Sequence, residues 1–168
     1  MFNLQKLVIP LILIISLCSC NTANTTKPFK ENISFTLQGM WNNTEYSFYG
    51  KTQDNSKLIL KILSPERFKD CEVILSGDNI SFDYLGLKIE DSIFNLQPES
   101  PFRCLAKGFN TAFSEETQTV LKNDKIFFTF KLNSTDYNFY FGATGLPIEI
   151  SEKNENNFLQ FKNVTILN

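Results

Sequence analysis

From Ile33 onward, apolar and polar residues alternate with a period of two, and that pattern limits the chain to one kind of fold. Ile33, Phe35 and Leu37 alternate with Ser34, Thr36 and Gln38. Tyr46 and Phe48 follow an Asn42-Asn43 turn, then Leu58, Leu60 and Ile62, then Cys71, Val73 and Leu75. Ser76-Gly77-Asp78-Asn79 makes a hairpin-like connection to Ile80, Phe82 and Tyr84, and Gly86 separates these from Leu87-Lys88-Ile89-Glu90. Successive side chains of a strand point to opposite faces, so this spacing gives each strand one apolar side. The expectation is an up-and-down run of antiparallel strands with a single buried face.

The period changes once. Ser100-Pro101 sets a capping hydroxyl before a proline, the favoured order at a helix start. Phe102, Leu105, Ala106, Phe109, Ala112 and Phe113 then recur at spacings of three and four, which predicts one helix over residues 101–113. Gly108 inside it costs up to about 1 kcal/mol relative to alanine, so this helix depends on packing. Strands resume at Thr117 to Leu121, Ile126 to Leu132, Tyr137 to Phe141, Pro147 to Ile150 and Phe158 to Ile166. The outline is a mainly β (α+β) domain of nine or ten strands, with one helix after roughly the sixth.

The first residues are of another kind. Lys6 precedes an apolar run from Leu7 to Leu17, about eleven residues, which suits a signal peptide and falls short of the roughly 20 needed to span a bilayer. Leu17-Cys18-Ser19-Cys20 resembles a bacterial lipobox, with an aliphatic residue three before the cysteine and a small one just before it. That resemblance implies a signal peptide over 1–19, lipidation of Cys20, and an address in the bacterial cell envelope, lipid-anchored at the outer face of a membrane. Residues 20–31 then form the lipidated cysteine and a polar, flexible tether, and 32–168 form the domain. Loss of Lys6 leaves fifteen basic against eighteen acidic residues, and this weakly acidic balance speaks against nucleic-acid partners. Cys71 and Cys104 remain. An exported setting permits a disulfide between them, closing a loop of about 34 residues worth about 3 kcal/mol. Two buried free thiols satisfy the sequence equally well.

No histidine occurs, which removes the commonest general base and metal ligand, and with it any Ser-His-Asp or Cys-His arrangement. Acidic pairs such as Glu90-Asp91 and Glu115-Glu116 read as solvated surface. A non-enzyme without cofactor or metal is expected. The aromatic load is heavier than such a core usually carries, with seventeen phenylalanines. Phe35, Phe48, Phe82, Phe128, Phe130, Phe139 and Phe141 are candidates to line an apolar concavity for an acyl chain or an apolar protein segment. The same seven also serve simply as core beneath the helix, which the alternation demands in any case. Phe127, Tyr140, Tyr49 and Trp41 read as out of phase, and so as partner-surface candidates.

Three segments carry a resemblance to a known family: Leu63-Ser64-Pro65-Glu66-Arg67-Phe68, the hairpin Cys71 to Gly77, and Ile80-Ser81-Phe82-Asp83-Tyr84-Leu85-Gly86-Leu87. A late Gly145-Leu146-Pro147-Ile148 fits a pre-terminal hairpin. With the lipobox, this order resembles the LolA/LolB/LppX-like envelope lipoproteins. The resemblance implies a strongly curved antiparallel sheet, an unclosed half-barrel, with its concave side covered by helix. It also implies a non-catalytic role, binding a lipid, acyl chain or lipoprotein in the concavity. The alternative is a scaffold that positions or stabilises an envelope partner protein through its sheet.

Overall fold

The computed structural model describes residues 32–54, 57–114, 117–122, 124–154 and 156–167. The cleavage site, Cys20 and the tether lie outside the described residues. Eleven strands follow: β1 (Ile33–Trp41), β2 (Thr44–Gln53), β3 (Lys57–Ser64), β4 (Glu72–Ser76), β5 (Asn79–Tyr84), β6 (Leu87–Ser92), β7 (Val120–Lys122), β8 (Lys125–Leu132), β9 (Thr135–Phe141), β10 (Pro147–Glu152) and β11 (Phe158–Ile166). Among the described residues a single α-helix, α1 (Pro101–Phe113), lies between β6 and β7, at the bounds the spacing predicts. Ser100 caps it, its hydroxyl accepting from the Phe102 N–H at 3.3 Å, with Pro101 in the first turn.

All pairings are antiparallel, in the order β6-β5-β4-β3-β2-β1-β11-β10-β9-β8-β7. Two meanders therefore meet where the first strand pairs with the last, Leu37 opposite Phe161, and the edge strands β6 and β7 stay unjoined. The sheet is open, yet strongly curved. Laid flat, β4 and β8 would stand about 34 Å apart, seven steps of about 4.8 Å. Helix α1 is about 20 Å long and 10–12 Å wide, and it touches both. Only a sheet curled around the helix allows that.

The inner residues of the strands meet the apolar stripe of α1, where Cys104, Leu105, Ala106, Gly108, Phe109 and Ala112 are buried. Gly108 has a packing reason. A Cβ there would sit 3.3 Å from Ile150 Cδ1 and from Phe130 Cζ, so its absence lets the helix settle onto β8 and β10. Gly50 makes the same accommodation within the sheet, because a Cβ would fall 2.4 Å from the Phe35 ring opposite it. Thr52, the polar member of the inner row of β2, accepts from the Ile33 N–H at 2.9 Å and so is satisfied where it is buried.

Candidate functional site

The seven inner phenylalanines divide six to one. Phe35, Phe48, Phe128, Phe130, Phe139 and Phe141 are buried, and ring contacts join them to the helix. Phe109 stacks on Phe35 with centroids 6.2 Å apart and meets Phe139 edge-on at 5.4 Å; Phe102 meets Phe48 edge-on at 5.8 Å. These side chains fill the concavity themselves. Phe82 is only half-buried, and it packs edge-on against Phe102 at 5.9 Å where the helix begins. It marks the boundary between filled interior and open surface.

Beyond that boundary the inner face is bare. Phe82 lies opposite Ile89, and Tyr84 opposite Leu87. The alternation sends all four to the side of the sheet that holds α1. Even so, Leu87 is 66% exposed, Ile89 54% and Tyr84 42%. The two-residue turn between β5 and β6 holds Leu85 at φ 53° and 89% exposed. Left-handed backbone suits Gly or Asn and costs a leucine about 1 kcal/mol, and full exposure of the side chain returns nothing to folding. A strained, exposed apolar residue at the tip of an apolar strip points to a contact outside the domain.

The strip runs into a cleft of about 350 Å³ at the mouth of the half-barrel, where Tyr46, Phe82 and Phe102 form an aromatic side and Asn42, Gln97 and Glu99 a polar one. Hydrogen bonds fix the far wall. The indole N–H of Trp41 donates to the Glu99 carbonyl at 2.6 Å, and the Asn133 amide donates to the Pro98 carbonyl at 3.2 Å. The segment that leads into α1 is thus pinned across the strand ends. Arg103 donates to the Leu96 carbonyl at 3.3 Å and lies over the exposed Phe94 ring, 5.9 Å from its centroid, placing one cation beside the apolar surface. On the other face of β6, Lys88 and Glu90 are paired at 2.6 Å. That pairing raises the Lys88 pKa and lowers that of Glu90, each through hydrogen bond and charge.

Among the described residues no group of three or more acidic or cysteine side chains could hold a metal. Cys71 and Cys104 are buried free thiols, so the structure has the unbonded arrangement and not a Cys71–Cys104 disulfide. Cys104 packs as a small hydrophobe, fully buried, and the Cys71 thiol donates to the Glu72 carbonyl at 3.7 Å. Burial pushes the Cys104 thiol well above its ordinary range; burial, then the nearby Asp83 carboxylate, raises Cys71. Neither thiol is an activated nucleophile.

Two expectations about surface aromatics change. Trp41 is in phase with Ile33, Phe35 and Leu37, is 1% exposed, and stacks on Tyr137 at 5.6 Å; Gly39 in the same row disguised the alternation. Phe127 and Tyr140 do face outward, but they cover each other across β8 and β9 at 5.4 Å and are half-buried. Tyr49 stands free on the outer face, 49% exposed. The apolar strip of Tyr84, Leu87 and Ile89 was not legible as a site. Its alternation matches that of a core strand, and nothing local says that cover is missing.

No protein-family model matches the chain, and no curated protein does. Among solved structures, an uncharacterized conserved protein from Thermus thermophilus is similar, with a TM-score of 0.53 and 8% identity over 84% of this chain and 82% of that one. A LolA superfamily protein, NE2245 from Nitrosomonas europaea, matches with a TM-score of 0.41 and 6% identity over 82% of this chain and 87% of its own. At such identities likeness speaks to fold alone. The topology of the described residues is an open, curled antiparallel sheet around one helix, an unclosed half-barrel.

Proposed function

We propose that this chain is a non-catalytic lipoprotein of the bacterial envelope that holds the acyl chain of a lipid or lipoprotein at the mouth of its half-barrel. One observation carries the reading: Tyr84, Leu87 and Ile89 face the concave side, yet lie exposed and continuous, through Phe82, with the aromatic side of the cleft. The binding place is therefore moved outward from the filled interior to its rim. The absence of histidine and the unactivated thiols favour binding over chemistry.

The orientation suits an anchored protein. The chain enters the fold at Asn32, whose carbonyl accepts from the Leu167 N–H at 2.7 Å, and Trp41 at the far end of β1 stands at the cleft. The nine residues of β1 set these ends about 30 Å apart. A lipid on Cys20, with a tether spanning about 40 Å when fully extended, attaches at the end away from the mouth. A tether of that length leaves the mouth clear of its own attachment point and able to face either way.

Trp41, the one tryptophan, reports on the cleft. A brominated fatty acid should quench its emission, and L87S/I89S should weaken that quenching about tenfold through lost apolar contact. Quenching that is absent, or indifferent to the double substitution, overturns the acyl-chain reading. Co-purification of one envelope protein, lost in the same variant without any acyl binding, would establish the scaffold alternative.

A further inference from the structure

Strand β6 is a free edge guarded by charge, through Lys88, Glu90 and Asp91. It is six residues long, holds no proline and has a regular register with β5. The opposite edge, β7, has only three residues, which is one common form of protection. The two-residue turn makes Tyr84 and Leu87 a hydrogen-bonded pair, and alternation makes Ile80 and Asp91 another. The Ile93 N–H, bonded to the Asp78 carbonyl at 2.8 Å, continues the same phase. Lys88 and Glu90 therefore turn their backbone N–H and C=O groups outward to the empty edge.

We infer that β6 pairs antiparallel with β6 of a second copy, in the register that sets Ile89 opposite Ile89. A twofold axis normal to the sheet keeps both concave faces on one side. It requires each residue to face one of the same parity. With Ile89 on the axis, Lys88 of each copy lies opposite Glu90 of the other, twice, in hydrogen-bonded pairs. The outer face then carries four alternating charges in place of two separate ion pairs. A shift one way sets Lys88 opposite Lys88, and a shift the other way sets Glu90 opposite Glu90; like charges directly opposed are destabilising. Charge thus selects one register out of three. Asp91, which faces Leu87 of the partner copy in this register, is already engaged by the Ser92 N–H at 2.7 Å and the Asn95 amide at 2.6 Å. On the concave side Ile89 meets Ile89 across the axis, and Leu87 of each copy lies opposite Asp91 of the other. The dimer stands whether or not the mouth holds a ligand.

The test uses charge exchange between chains. Sedimentation equilibrium of the full chain in density-matched detergent should show a reversible dimer. K88E and E90K each set like charges opposite one another twice and should weaken that dimer about tenfold. Mixed in equal amounts, K88E and E90K should form a heterodimer tighter than either homodimer, because every cross-strand pair is then opposite in sign. Effects within one hairpin cannot produce that gain on mixing. Circular dichroism of each variant checks that the fold is kept. A wild-type chain that stays monomeric overturns the inference, and so does a mixture no tighter than its parts.

Discussion

Phe109→Ala tests whether the concavity is core or container. Phe109 is 2% exposed and stands where α1 meets the centre of the sheet. Its ring lies 6.2 Å from Phe35, 5.4 Å from Phe139 and 6.0 Å from Phe161, so truncation removes contacts to β1, β9 and β11 together. A buried Phe→Ala substitution costs about 3–5 kcal/mol, including the cavity it leaves, and three ring pairs place this site in the upper half of that range, at about 4 kcal/mol. With a urea slope of about 2 kcal/mol/M for a domain of this size, the midpoint should fall by about 2 M. The slope should hold steady, because the same surface is exposed on unfolding. Phe68→Ala on the exposed 3-10 turn is the control and should move the midpoint by less than about 0.3 M. A loss below about 1 kcal/mol for Phe109→Ala would refute the reasoning. The helix would then be loosely seated, and the interior free to open for a ligand.

Gly108→Ala should destabilise by about 1 kcal/mol in the same titration. The helix-propensity gain of up to about 1 kcal/mol is outweighed by pressing a methyl to 3.3 Å from Ile150 and Phe130, both buried. Leu85→Asn relieves left-handed backbone strain and should raise stability by about 1 kcal/mol, about 0.5 M in the midpoint, while weakening acyl binding, a split that a purely structural turn residue would not give. Cys104 should resist Ellman's reagent until the chain unfolds, since it is buried and held protonated. Its folded pKa is raised above the unfolded one, so its contribution is fully present below the thiol's ordinary 9.0 and is lost as pH rises beyond that. Tyr137 is raised likewise, by burial first and then by Cys104 and neighbouring carboxylates, from an ordinary 10.0. Urea midpoints should therefore decline above about pH 9 in the wild type. In C71A/C104A, with both raised thiols removed, the decline should start nearer 10, and an unchanged onset would count against the thiols as its source.

What the sequence makes legible is whatever a local pattern decides. Period two marks the inner row from Ile33 to Leu37, period three-and-four marks α1, and Ser100-Pro101 marks where it begins, because each signal sits within one element. The weakest strand is misplaced for the same reason. β7 runs over Val120–Lys122, not from Thr117, since three residues hold too little alternation to fix an end. The fate of Cys71 and Cys104 was not legible either. Pairing depends on a distance across the fold, and both open alternatives satisfied the spacing.

The candidate site belongs to a third class, set by a mismatch of sizes. Eleven strands at about 4.8 Å make an arc of about 50 Å, while one thirteen-residue helix covers a patch about 20 Å by 10–12 Å. Curling brings the middle strands under that patch but cannot bring the edges. A row of inner apolar residues at an edge must therefore stay bare unless a loop, a ligand or another chain covers it. At β7, only three residues long, the shortfall uncovers one inner residue, Leu121, 61% exposed opposite Ile126. At β6 it uncovers Leu87 and Ile89, residues that a local pattern would assign to a core. A chain that kept this edge for solubility alone would carry polar residues there, as it does at Lys88 and Glu90 on the opposite face. Apolar side chains turned inward at an uncovered edge, beside a strained leucine at the turn, are what a surface retained for contact requires.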